Sequence, residues 1–202
     1  MTYHYEKDGG AVGAPLVFTF HGTGGDETQF HGFARQLYPD ATVISPRGDV
    51  SEHGANRFFR RTGEGVYDMD DLAARRDALA AFVEDQHTDV APARVIGLGY
   101  SNGANILAAL SFERPDLFDE MVLMHPLIPW QPAPQPALSG KRILLTAGRN
   151  DPICPAPQTT ALVSYFEGQG ARVETVWHPG GHEIARSEIE AIAAFAGTVK
   201  GQ

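Results

Sequence analysis

The 202-residue sequence predicts one α/β domain, with a mostly parallel central sheet and helices on both faces, and three observations predict it. Short apolar runs of strand length alternate with longer stretches of helical spacing, the order expected of repeated β–α units. The runs end in Gly, Pro or Asp, and their apolar character suits strands buried on both faces. Hydrophobic residues make up 43% and charged residues 20%, a mixture able to fill one substantial core, and no linker divides residues 1–202.

Residues 16–20 are the first apolar run and are read as a strand; a helical pattern over 27–37 follows, and 42–45 is the second strand. Residues 48–67 lack clear periodicity, and their length alone suggests a functional loop. A helix is expected over 69–85, then a strand over 94–98 that runs through a glycine-rich turn into a helix over 102–112. Strand 121–124 leads into a segment with prolines at 126, 129, 132, 134 and 136. Their fixed φ and missing N–H groups exclude a helix or a central strand, so a stiff extended loop without room for a folded lid is expected there. Strand 142–146, helix 156–168, strand 172–177 and helix 184–195 complete the order.

The formal charge of −9 argues against a nucleic-acid partner, which would need an excess of Lys and Arg. The single cysteine, Cys154, cannot form an internal disulfide. The first eight residues are polar and no run approaches the roughly 18 apolar residues of a membrane span, so a soluble, cytoplasmic chain without a membrane partner is expected. Monomer and homodimer both remain open.

In a doubly wound sheet ligands bind beyond the carboxyl ends of the strands, so the informative residues should lie just after the apolar runs. After 94–98 comes Gly99-Tyr100-Ser101-Asn102-Gly103, a G-x-S-x-G sequence in strand–turn–helix context. A nucleophile on so sharp a turn needs glycine two residues before and after, where a side chain would strike the neighbouring strand or helix. Ser101 is thus the candidate nucleophile. Gly97, Gly99 and Gly103 superficially resemble a dinucleotide-binding fingerprint, but the third glycine falls one residue late and the next strand ends at His125 instead of an acid.

After 16–20 comes His21-Gly22-Thr23-Gly24-Gly25-Asp26, a loop whose glycines leave N–H groups exposed. The N–H groups of Thr23 and Asn102 are the candidate oxyanion donors. His21 is read as a brace for this loop and Asp26 as the N-cap of the next helix. Asp151 follows the strand at 142–146, and His182 follows the strand at 172–177. The order Ser101, Asp151, His182 is that of the α/β-hydrolases and not that of the other serine protease folds. His182 would take the proton of Ser101, and Asp151 would orient the imidazole. His178 and His125 read as packing histidines, and Cys154 as a wall residue. A metal site at His178 and His182 is disfavoured, because Pro179-Gly180-Gly181 breaks the helix that would align them.

Together with Gly148-Arg149-Asn150-Asp151-Pro152 and Gly180-Gly181-His182, these motifs resemble the small phospholipase/carboxylesterase family, which includes the acyl-protein thioesterases. Pro46-Arg47-Gly48, Asn56-Arg57-Phe58-Phe59-Arg60-Arg61 and Gly65-Val66-Tyr67-Asp68 are similar to its bacterial carboxylesterase branch, associated with hydroquinone and aromatic-ring catabolism. The resemblance implies an α/β-hydrolase fold without a lid domain, a small-molecule ester substrate, and no cofactor or metal. Asn102 stands where the thioesterase branch has glutamine, which makes protein deacylation the less favoured use of the same chemistry. Arg57 and Phe58 are the candidate substrate-binding residues: the ring would line an acyl or aryl pocket, and the guanidinium would pair with a substrate carboxylate. The competing reading fills the core with both phenylalanines, since adjacent side chains of an extended chain point to opposite sides. Three functional rivals stand beside a short-chain or aromatic carboxylesterase: a protein thioesterase or lysophospholipase, a non-catalytic hydrolase-like binding protein, and a nucleotide-binding module.

Overall fold

In the computed structural model, which describes residues 3–197, strands β2 (Leu16–Phe20), β3 (Thr42–Pro46), β8 (Val95–Tyr100), β9 (Glu120–Met124), β10 (Arg142–Gly148) and β11 (Arg172–His178) lie parallel. Strand β1 (Tyr5–Asp8) joins antiparallel at one edge, giving the order β1-β3-β2-β8-β9-β10-β11. The polar Tyr5-Glu6-Lys7-Asp8 shows no apolar run because it is a largely exposed edge strand, which is why periodicity missed it.

The chain leaves β2 toward β3, then returns to the other side of β2 as β8 and continues outward. Right-handed crossovers in opposite directions must put their helices on opposite faces. Helix α1 (His31–Leu37) therefore packs on one face, where α5 (Arg186–Gly197) also lies; α2 (Met69–Val90), α3 (Asn102–Glu113) and α4 (Ala156–Gly168) cover the other. The larger core fills this second face and centres on Phe18, which is fully buried among Phe20, Phe82 and Phe118. Among the described residues, no helix is long and apolar enough to cross a membrane.

Two stretches differ from the periodicity reading. The helix expected from residue 27 begins only at His31, with Phe30 as its N-cap and no capping side chain. Asp26 instead closes a turn, accepting the N–H and hydroxyl of Thr28 at 2.9 and 2.6 Å. Residues 27–30 are held by distant partners: Gln29 accepts the N–H of Gly22, and Glu27 pairs with Arg47. The long connection folds into two small hairpins, β4 (Val50–Glu52) with β5 (Ala55–Arg57), and β6 (Arg61–Gly63) with β7 (Val66–Tyr67). Asp68 then caps α2 through the N–H of Asp71 at 3.1 Å. The proline segment is irregular as expected, closing in a single 3-10 turn at Pro136–Leu138.

Truncating Phe18 to alanine removes a fully buried ring from the aromatic centre of the larger core. The expected cost is about 3–5 kcal/mol. Urea denaturation should show a lower midpoint at an unchanged slope. A loss below about 1 kcal/mol would mean that this face of the sheet does not carry the fold.

Candidate active site

The order of strands reverses between β2 and β8, so the loops leaving their carboxyl ends part and open a crevice. Ser101 stands at the end of β8 with φ 51° and ψ −115°, a left-handed conformation that a non-glycine residue adopts only under constraint. Its N–H is tied to Met124 O at 2.8 Å, across to β9. Both flanking glycines are dictated by contact. A Cβ at Gly99 would come within 2.6 Å of Gly103 O, and one at Gly103 within 2.1 Å of Phe20 O. Helix α3 thus begins hard against the exits of β2 and β8, with Ser101 presented above its first turn.

His182 Nε2 lies 2.9 Å from Ser101 Oγ, and its Nδ1 lies 2.7 Å from Asp151 Oδ2. The other Asp151 oxygen, Oδ1, accepts the N–H groups of Ile153 and Cys154 at 2.8 and 2.9 Å. Burial alone would raise the Asp151 carboxyl, but these N–H groups and two imidazoles hold it below the usual carboxylate range. Serine, imidazole and carboxylate, gathered from three separate loops, are therefore in one hydrogen-bonded line. Asp119 and Glu183 do not take that place: Asp119 accepts Val95 N–H at 2.9 Å, and Glu183 accepts Gly181 N–H.

The loop after β2 spends most of its N–H groups internally. Gly22 donates to Gln29 Oε1, Gly24 to Asn56 O and Gly25 to Gly22 O. The N–H groups of Thr23 and Asn102 have no such partner among the described residues, and both residues line the cavity that contains Ser101 and His182. His21 braces the loop, with Nδ1 2.7 Å from Gly22 O and Nε2 accepting Gly48 N–H at 2.9 Å. The Asn102 side chain faces inward and accepts Phe58 N–H at 2.7 Å.

The cavity measures about 310 Å³, and Arg57 forms part of its wall. The guanidinium is already engaged: Nη1 donates to Thr23 Oγ1 at 2.7 Å, Nε donates to Phe59 O at 3.2 Å, and Glu52 lies 3.5 Å away. The pocket role expected for Phe58 is not what its ring does. Phe58 is 1% exposed and packs on Phe20 and His21, while Phe59, equally buried, packs on Tyr67. Both rings leave the bend that follows β5 and enter the core, and the cavity wall takes Tyr67, Leu127 and Ile153 instead. Cys154 also reaches the wall, but burial pushes its thiol pKa up, away from a nucleophilic thiolate.

Sequence reading missed three groups. The Tyr100 hydroxyl donates to His182 O at 2.7 Å and so fixes the histidine loop from inside the G-x-S-x-G motif itself. His125 is fully buried, with Nδ1 2.9 Å from Asp151 Oδ2 and Nε2 3.1 Å from Glu188 Oε1. Its place directly after a strand was a usable signal; Glu188, in the middle of a charged helical segment, gave none. The side chains of His125, His178 and Glu188 bring donor atoms within 4.8 Å of one another. They do not suit a metal ion, because His178 Nδ1 accepts Gly180 N–H at 3.1 Å. The proton of a neutral His178 then sits on Nε2, the atom that would have to give its lone pair to the metal.

The family model for dienelactone hydrolases matches residues 31–195. "Putative hydrolase MhqD" of Bacillus subtilis (strain 168) is 35% identical over 192 residues, covering 94% of each chain. The crystal structure of the protein Atu2452 of unknown function from Agrobacterium tumefaciens str. C58 superposes with TM-score 0.91 at 54% identity, covering 96% of this chain and 95% of that one. The Bacillus cereus carboxylesterase gives TM-score 0.89 at 34% identity over 96% and 93%. The carboxylesterase kinship suggested by the motifs therefore extends over the whole fold. This chain belongs to the dienelactone hydrolase family and is an α/β-hydrolase of the esterase type.

Proposed function

We propose that this protein is a serine carboxylesterase that hydrolyses small or aromatic carboxylic esters through an acyl-enzyme on Ser101. The observation that carries the reading is the line from Ser101 Oγ through His182 to Asp151, at 2.9 and 2.7 Å, facing a cavity where two N–H groups await an acceptor.

In this reading His182 Nε2 takes the Ser101 proton while Oγ bonds the ester carbon, and the carbonyl oxygen becomes an oxyanion facing the N–H groups of Thr23 and Asn102. The start of α3 adds the positive end of its dipole. As the carbon–oxygen bond to the alcohol breaks, His182 returns the proton to the departing oxygen. Water then gives a proton to His182 and its oxygen to the acyl carbon, and Ser101 regains its proton as the acid leaves. Asp151 keeps the Nδ1 proton in place throughout. Arg57, which shares Glu52 with Arg61, serves chiefly to hold the Thr23 loop against the β4–β5 hairpin.

A cavity of about 310 Å³ lies at the small end of the usual range of ligand sites, roughly 300–1,000 Å³. It suits a short acyl group or one aromatic ring and disfavours lysophospholipids and palmitoylated proteins.

Fluorophosphonate labelling should mark Ser101, and Ser101→Ala should stay folded, lose the label and hydrolyse nitrophenyl acetate at least about 1,000-fold more slowly. Undiminished hydrolysis by that variant would remove Ser101 from the mechanism. Across nitrophenyl esters, kcat/KM should fall from acetate and butyrate to palmitate; the reverse order would defeat the pocket-size reading, and faster thioester cleavage would move the activity to the thioesterases. Arg57→Ala should lower kcat by about 10–100-fold on neutral and carboxylate-bearing esters alike, through the oxyanion loop. A loss confined to carboxylate-bearing esters would instead make Arg57 a direct substrate contact.

A further inference from the structure

Behind the Ser101 line the molecule buries more charge than acyl transfer requires. His125, at the end of β9, touches Asp151 with one ring nitrogen and Glu188 of α5 with the other, at 2.9 and 3.1 Å. Glu188 in turn lies 3.3 Å from His178 Nε2. His125 and Glu188 are both 0% exposed, so no bulk water relieves a mismatch between them.

A neutral imidazole carries one N–H and one lone pair. Each nitrogen of His125 lies within ion-pair distance of a carboxylate oxygen, Nδ1 in line for a hydrogen bond and Nε2 off that line, so a neutral ring would leave one buried anion beside a lone pair, at a cost in a dry interior. Asp151 cannot take up the missing proton. Its Oδ1 accepts two backbone N–H groups, and its Oδ2 serves both His182 and His125. Glu188 is held as an anion by the same logic, since its Oε2 accepts Ala185 N–H at 2.6 Å and lies 3.3 Å from His178 Nε2.

We propose that His125 is a standing imidazolium, with Glu188 as its counter-ion, and that it acts as a positioning residue for the esterase reaction by offsetting the charge of Asp151 behind His182. The role rests on the esterase reading; the charge state does not. Burial pulls the His125 pKa down, but Glu188 and Asp151 together lift it above the ordinary histidine value, and the Glu188 carboxyl is correspondingly held low. The remaining groups facing the ring do not alter this balance. Tyr100 and His178 stand edge-on at 5.9 and 5.5 Å between ring centroids, and the Cys154 thiol donates to His125 O at 3.2 Å.

The consequence falls on His182, whose ring centroid is 5.1 Å from that of His125. With a cation on its far side, Asp151 attracts a proton onto His182 less strongly. Removing the cation leaves Asp151 uncompensated, so His182 should bind its proton more tightly and the acidic limb of kcat/KM should move to higher pH. The shift expected for unit charges this close is on the order of one pH unit.

The test is a histidine-selective 15N titration of the whole protein from about pH 5 to about pH 9, with pH–rate profiles on nitrophenyl acetate. In the wild type one buried ring should keep both nitrogens protonated throughout. In Glu188→Gln, which preserves shape, that ring should become neutral within the range, and both the His182 midpoint and the acidic limb should rise, with KM little changed. His125→Asn, which suits the left-handed backbone at φ 50°, should give the same rise. A wild-type His125 with one unprotonated nitrogen, the proton residing on Glu188, overturns the proposal, and so does an unmoved His182 midpoint in both folded variants. Because the 15N midpoints need no turnover, a wild type that cleaves no ester and takes no fluorophosphonate label would overturn the esterase reading and the catalytic role of His125, while its charge state would still be read directly.

Discussion

The closeness with which α3 begins against the exits of β2 and β8 governs the rest of the site. That contact leaves no space for a Cβ at Gly99 or Gly103, and it forces Ser101 into a left-handed conformation. The strain is held by ordinary means: the N–H bond of Ser101 to Met124 O and the burial of the whole face of α3 against the sheet. Because the same contact sets the start of α3 beside the loop after β2, the reactive oxygen, the helix dipole and the free N–H groups face one crevice. A change that pushed α3 outward would disperse all of these at once.

Asp151 is the second point on which the molecule converges. Its four hydrogen bonds come from its own loop, from the loop after β11 and from the end of β9, so a single carboxylate joins the carboxyl ends of three neighbouring strands. An anion so deeply placed needs compensation, and the alternation Asp151, His125, Glu188, His178 supplies it at ion-pair distances of 2.9, 3.1 and 3.3 Å, the last two outside hydrogen-bonding geometry. The alternation also carries the link to α5 through Glu188, which accepts Ala185 N–H at the entry to that helix.

The connection over residues 48–67 shows how a loop can be long without being a lid. Its two hairpins are pinned from within by Phe58 and Phe59 and from the side by Asn102, which accepts Phe58 N–H. Arg57 is left in the cavity wall by this anchoring, its guanidinium bridging the hairpin and Thr23. The cavity is thus small because its rim is fastened to the core.

The sequence by itself determined the parallel sheet, the place of Ser101 between its two glycines, and the order in which Asp151 and His182 follow, because each is a local event: an apolar run, a strand exit, a turn that admits only glycine. It could not yield β1, whose polar residues belong to an edge, nor the late start of α1, where contacts of Glu27 and Gln29 with Arg47 and Gly22 override a helical pattern. Nor could it sort Arg57 from Phe58, since the chain bends where β5 ends and only the packed hairpins fix which side chain meets the cavity and which the core. Tertiary structure alone brought Glu188 of α5 to His125 of β9, residues 63 positions apart with no shared motif. A buried charge is satisfied by whatever the fold places within about 3 Å of it, and periodicity records which face a residue turns inward, not whom it meets there.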